Sequence, residues 1–283
     1  MSQDKQYDAI EYFHGAKIQS GPMNDRIYLM KLGSADPKVL LSALEQLALE
    51  KQFGKIFAKG PAANGQCFID ADYQLEASVP GFYNGTEDGW FLSKYFNAQR
   101  ALAENIDQLD AVLQLAKDRQ QTAKSVGLDE KFQFQRVYPE HAEMICEVYR
   151  EVFASYPFPI HDPDYIRQTM ADDVFYFSIW HQGEIIAMSS AELDRDGGNV
   201  EMTDFATLPQ WRGYSFAVFL LQQMEMEMRK MKIPTAYTIA RAVSPGMNIT
   251  FAKMGYQYSG RLINNTQISG KLESMNLWHK SLC

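Results

Sequence analysis

Cysteine is scarce in this chain: Cys67, Cys146 and Cys283 are the three in 283 residues, and none forms a CxxC pair. An odd, scattered set speaks against a disulfide framework and against a zinc site, so no metal is expected and a reducing, cytoplasmic setting fits. Basic residues are also in deficit, 27 Lys and Arg against 35 Asp and Glu, for a net charge of −8. Nucleic-acid affinity comes from clustered cations that displace counterions, so a nucleic-acid partner is not expected. The acidic excess is compatible with a cationic substrate. Long apolar runs are missing too. No stretch approaches the roughly 18 uninterrupted apolar residues of a membrane span. The opening MSQDKQYDAIEYF shows no apolar run behind a basic start, so neither a membrane segment nor a secretory signal is expected.

What is present suits a globular protein with a substantial core: 46% apolar and 22% charged residues, over a length comfortable for two domains. Residues 27–32 read as a strand. Asp36-Pro37 then opens a helix, with Asp at the N-cap and Pro at the first helical position, and Val39, Leu40, Ala43, Leu44 and Leu47 as its buried stripe. Strands follow at 55–60 and 88–96, with a helix expected around Phe68 to Ala77. Residues 1–96 thus read as a small α/β unit. Leu102, Ile106, Leu109, Leu113 and Ala116 repeat at helical spacing, predicting one connecting helix over 98–124 within a 97–127 linker, with Gly127 as its stop. A coiled coil in a homodimer is the lesser use of that stripe.

The third region, 128–283, reads as strand (132–138), helix (139–153) and a second helix opened by Asp162-Pro163. Three strands follow at 174–180, 184–193 and 199–208, joined by tight turns as an antiparallel meander. A helix over 215–231, a strand at 235–242, a short helix near 246–254 and strands near 256–264 and 274–281 complete it. Met224, Met226, Met228 and Met231 fall on or beside the buried stripe of the 215–231 helix, as core filler rather than a thioether metal site. His161 beside Asp162 invites a dyad, but Asp162 before Pro163 is more simply a helix cap. Cys146 has no suitable His partner for thiol catalysis.

The sharpest local signal is Gln210-Trp211-Arg212-Gly213-Tyr214-Ser215, between a strand and a helix. A loop so placed gathers backbone N–H groups at the positive end of a helix dipole, which holds a pyrophosphate without lysines. Gly213 lets the backbone approach the phosphates, and Ser215 is small where a larger side chain would collide. This segment resembles the pyrophosphate loop of the GNAT acetyltransferases, Gln/Arg-x-x-Gly-x-Gly/Ala, with Ser215 departing from the final position. Together with the β-α-α-β-β-β-α-β-α-β-β order, the resemblance covers 131–283. It implies a GNAT fold, an α/β (α+β) class with a mixed, splayed central sheet. It also implies acetyl-CoA held by the loop, with the Ala206, Thr207 and Leu208 backbone along the pantetheine arm.

Further strings narrow the match. TDFATLPQWRG (203–213), YTIARAVSPGMNITFAKMGY (237–256), LINNTQISGKLESMNLWHKSL (262–282) and YPFPIHDPDYI (156–166) resemble the β-lysine N-acetyltransferase family. That family is paired with a lysine aminomutase and makes N-epsilon-acetyl-β-lysine, an osmolyte. GFYNGTEDGWFLSKYF (81–96) resembles the closing half of a GNAT domain, so an N-terminal half-GNAT-like unit precedes the catalytic one.

The acceptor ε-amine, with an ordinary pKa near 10.4, must lose a proton before attacking a thioester. Glu201 and Asp204, on the strand beside the reacting carbonyl, are the two candidate bases. Three residues apart, they point to opposite faces unless the strand bulges. Strand N–H groups at such a bulge would stabilise the oxyanion. Where many GNAT enzymes carry a Tyr general acid, this chain has Phe251, so Tyr256 or Tyr258 is the substitute candidate, or no acid is used; a thiol can leave as its anion. For a substrate with two ammonium groups and one carboxylate, Arg241 is the candidate carboxylate reader. Asn264, Asn265, Glu273 and Asn276 are candidates for the distal amine, and Tyr156 and Phe158 for the acceptor wall. Other readings are a transferase for lysine, ornithine or a polyamine, an aminoacyl-tRNA-dependent transferase (disfavoured by the charge), and a non-catalytic acetyl-CoA sensor.

Overall fold

The computed structural model describes residues 7–120, 125–268 and 270–283. Thirteen strands form one mixed sheet in the order β1-β2-β3-β4-β6-β5-β12-β13-β11-β10-β9-β8-β7. The first six are β1 (Ala9–Phe13), β2 (Ala16–Gly21), β3 (Arg26–Lys31), β4 (Lys55–Pro61), β5 (Gln74–Tyr83) and β6 (Glu87–Tyr95). The remainder are β7 (Gln133–Val137), β8 (Val174–His181), β9 (Glu184–Asp194), β10 (Asn199–Thr207), β11 (Thr235–Arg241), β12 (Gln257–Ile268) and β13 (Lys271–Ser281).

The two halves repeat one plan. In the first, the antiparallel run β1-β2-β3 meets β4 in parallel, and β6 inserts between β4 and β5. In the second, the antiparallel run β7-β8-β9-β10 meets β11 in parallel, and β13 inserts between β11 and β12. The parallel steps are bridged by helices α1 (Pro37–Lys51) and α6 (Phe216–Lys230), as a parallel pair requires a crossover. The halves meet where β5 and β12 pair antiparallel at Ala77 and Gly260. A Cβ on Gly260 would come within 2.0 Å of the Glu76 carbonyl oxygen, so only glycine permits the seam.

Three cores follow. Leu40, Leu41, Leu44 and Ala48 of α1 and Phe68 of α2 (Gly65–Asp70) pack on one face of the first half. Helices α4 (Ala142–Val152), α5 (Pro163–Ala171), α6 and α7 (Pro245–Lys253) cover the second half. A third cluster joins the two: Phe57, Val79, Phe82 and Phe91 against Tyr237, Leu262, Met275 and Leu277.

Asp36 caps α1, accepting from the Lys38 and Val39 amides at 2.9 and 3.2 Å, while Val39 itself is 58% exposed and the buried stripe shifts to Leu41 and Ala48. The helix expected over 68–77 instead spans 65–70 and gives way to β5. The connecting helix is shorter than the stripe predicts. Residues 98–101 form a 3-10 turn capped by Asn97, and Asn105 takes a left-handed φ of 55°. These turn-forming asparagines delay the helix, α3, to Ile106–Lys117. Residues 121–124 of the expected 98–124 helix lie outside the described residues.

Candidate active site

The parallel pairing of β10 with β11 holds only through Asn199–Thr235, Val200–Ala236 and Glu201–Tyr237. Beyond Glu201 the strands part, and β10 slips register against β9 between Thr203 and Ala206, with Asp204 at a φ of 52°. This bulge resolves the question of faces: the extra residue turns Asp204 to the side that Glu201 already occupies. Both carboxylates line one cavity of about 310 Å³. Glu192 joins them from β9, paired directly across from Glu201 in an antiparallel register, and so on the same face.

A second, smaller cavity fills the gap between the parted strands, walled by Phe205, Ala240, Ser244, Met247 and Phe251. Asp204, Tyr156 and Thr203 line both cavities and mark their junction. The Asp204 carboxylate accepts from the Tyr156 hydroxyl and, at 2.6 Å, from Ser190 Oγ. Phe158 lines the larger cavity from the loop after α4.

Electrostatics set these carboxyl groups apart. The surrounding protein and then its neighbours Glu201 and Asp204 push Glu192 up to about 8. The residue nonetheless keeps surface accessible to solvent. Burial likewise raises Glu201, opposed by Lys59 and a bond from Tyr237, and raises Asp204, opposed by its hydroxyl donors. Lys59, from β4 of the first half, donates to the Tyr237 hydroxyl at 3.1 Å. The acidic wall is therefore built by the second half and faced by the first. The pairing of β9 with β10 and the approach of β4 are long-range facts, and no local pattern signals Glu192 or Lys59.

At the far end of the smaller cavity, Leu208 continues the strand by donating to the Ile186 carbonyl at 3.0 Å, and Pro209–Trp211 form a 3-10 turn. Phe132, His181, Trp211 and Tyr214 pack edge to face and brace the loop. Gly213 has a φ of 93°, and a Cβ there would meet nothing within 4 Å. Gln210, Arg212, Tyr214 and Ser215 are exposed, and Ser215 opens α6 without a side-chain cap. First-turn N–H groups have no partner within a helix, so an open loop with an uncapped helix behind it fits a diphosphate. Ala206 is buried in the β9 pairing and Thr207 is half-buried beside it.

Several expected residues serve otherwise. Arg241 and Glu273 form a two-pronged ion pair at 2.8 and 2.7 Å, so each cancels the charge that was to read substrate. Asn276 donates to Asn248 and accepts from Arg261 inside the core. Asn264 donates to the carbonyls of Arg100 and Leu102, holding the end of the linker. Tyr256 is wholly buried, facing Glu225 and packed on Phe251, and lines neither cavity; it is no acid for this centre. Tyr258 lies against Trp278 and is also outside both. Phe251 does face the smaller cavity, as a hydrocarbon wall. Asn265 alone of the closing-hairpin set reaches the larger cavity. Asp162 caps α5 through the Asp164 amide at 3.0 Å, and burial raises the Cys146 thiol to about 11, away from nucleophilic use.

Among known proteins, residues 142–256 match the model of the acetyltransferase (GNAT) family. A β-lysine N(6)-acetyltransferase of Methanococcus maripaludis is 40% identical over 93% of this chain and 95% of its own. One from Methanosarcina mazei is 29% identical over 86% and 97%, and the N-acetyltransferase YodP of Bacillus subtilis 30% over 94% and 96%.

Proposed function

We propose a reaction from one premise: this chain belongs to the β-lysine N-acetyltransferase family of the GNAT superfamily. The enzyme is an N-acetyltransferase, and its acceptor is β-lysine, acetylated on the ε-nitrogen. The observation that carries this reading is the junction at Asp204, where a cavity lined by Glu192, Glu201 and Asp204 among other residues opens onto the gap between parted strands. Acetyl-CoA supplies the activated acetyl group. Gln210 to Ser215 would hold its diphosphate, and the strand end at Ala206 to Leu208 its pantetheine arm.

β-Lysine brings two ammonium groups to this cavity. Asp204 takes the proton from the reacting nitrogen, directly or through one water, because it alone among the carboxylates reaches both cavities. The freed amine attacks the thioester carbonyl carbon, the C–N bond forms, the nitrogen gives up its second proton to solvent, and the C–S bond breaks with the sulfur leaving as thiolate. Backbone N–H groups at the bulge offset the oxyanion charge. Glu201 and Glu192 hold the second ammonium, and the hydroxyls of Tyr156 and Ser190 keep Asp204 oriented.

We further read residues 1–96 as the half-GNAT-like unit, 97–127 as its link and 128–283 as the catalytic domain. Service in the cytoplasm, downstream of a lysine aminomutase in osmolyte synthesis, accords with family membership. Turnover of acetyl-CoA should be measured with β-lysine, α-lysine, ornithine and a diamine, locating the product's acetyl group by NMR. The reading expects highest kcat/KM for β-lysine and modification of its terminal nitrogen. Preference for another amine, or acetylation of the β-nitrogen, would overturn it.

A further inference from the structure

The larger cavity is lined by basic side chains as well as acidic ones, and the basic ones come from the first half of the chain. Arg26, the first residue of β3, is 5% exposed and lines the cavity. Its guanidinium lies over the rings of Tyr28 and Phe57, at 5.3 and 5.6 Å from their centroids. Nη1 donates to the Asn265 carbonyl and lies 3.5 Å from the Thr266 hydroxyl. Nε is buried with no partner at all, and no carboxylate among the described residues forms an ion pair with this arginine. The Asp8 carboxylate is taken up by the Met23 and Asn24 amides and the Asn24 side chain. A second guanidinium in the neighbourhood, Arg100, is paired with Asp25 and leaves no anion over.

A charge this buried is costly unless it is paired and its donors are used. Burial lowers the Arg26 pKa to about 10, the direction expected of a cation short of counter-charge. Beside it, Asn265 Oδ1 is also buried without a partner. The arrangement is a planar donor fork over two rings, in a cavity that Glu192, Glu201 and Asp204 also line.

Resting on the acceptor reading above, we propose that Arg26 binds the carboxylate of the acceptor, so that the first half of the chain completes the substrate site of the second. The acceptor class this defines is an amino acid with a second amine. Its carboxylate meets Arg26, and its ammonium groups meet Glu192, Glu201 and Asp204. A simple diamine satisfies only the acidic wall. Arg26 thereby takes the part expected of Arg241, which Glu273 neutralises.

The test compares R26Q and R26K with the wild-type enzyme on β-lysine, α-lysine and 1,5-diaminopentane, with folding checked by thermal melting. A charge-assisted fork to a carboxylate corresponds to about 10–100-fold in kcat/KM, so R26Q should lose that much on the amino acids, mainly through KM. Turnover of the diamine should change less than about threefold on the same scale. R26K, which keeps charge but not the fork, should recover only part of the loss. Equal losses on all three acceptors would make Arg26 structural and overturn the proposal, as would unchanged KM for the amino acids. Should R26Q fail to fold, R26K decides by the same split. Failure of the wild-type enzyme on β-lysine alone would instead strike the acceptor reading, and α-lysine would still report on Arg26; failure on both amino acids overturns both.

Discussion

Asp204 occupies a left-handed backbone position, accepts two hydroxyl donors and belongs to both cavities. In the proposed mechanism it is the group that moves a proton. Asp204→Asn keeps the shape and removes the base, so kcat should fall about 10²–10⁴-fold while acetyl-CoA affinity is retained, as read by stopped-flow and calorimetry. Glu192 offers a pH signature. Its carboxyl lies well above the ordinary carboxylate range in the folded protein, so its neutral form is favoured near neutrality. A carboxyl raised on folding stabilises the protein below its unfolded pKa, and that stability is lost as pH rises through the folded value, here between about 4.5 and 8. An arriving ammonium reverses the bias. Binding of β-lysine near pH 7 should therefore release protons, seen as a dependence of calorimetric heat on buffer ionisation, and Glu192→Gln should diminish that release. Glu201 and Asp204 were legible in the sequence because both types of residue sit just before a recognisable loop. Glu192 and Arg26 were not, since only strand pairing and the fold-over of a distant half bring them into the cavity.

Among elements, β10 and α6 do most to form the site. The strand stops pairing with β11 after Glu201 and then supplies the bulge, and the helix begins where the loop ends, uncapped. Gly213→Glu should abolish acetyl-CoA binding, since a carboxylate would meet the diphosphate; calorimetry on a variant with an intact melting transition checks it. Gly213→Ala isolates the backbone part. There is room for the methyl group, but a φ of 93° is unfavourable to any L side chain, so a stability loss of about 1 kcal/mol is expected by chemical denaturation. The meander and the loop were readable from alternation and turn residues. β5 was not: Pro80 and Gly81 interrupt its alternation and its register slips twice against β6, so its start passed for a helix. The helix after it was overextended because Leu102 and Ile106 keep helical spacing yet stay 61% and 45% exposed.

At the scale of the whole molecule, the cluster around Phe57, Phe91, Tyr237 and Leu277 joins the halves through a shared core. Leu277, wholly buried there, should cost about 2–5 kcal/mol when changed to Ala, and a single urea transition followed by fluorescence and by far-UV dichroism should shift as a unit. Two separate transitions would mean the halves melt apart. The two halves repeat one strand order, but no local pattern in the sequence signals how they pack against each other. The seam at Gly260 has a further consequence. Two separate sheets of this plan would leave β5 and β12 with bare rims of unpaired N–H and C=O groups, which invite other chains. Joined, each strand shields the other along part of its length, and the outermost rims of the described sheet pass to β1 and β7. Fusion of the halves thus guards against aggregation as well as enclosing a pocket, and a side chain at position 260 would expose the hazard before it touched the chemistry.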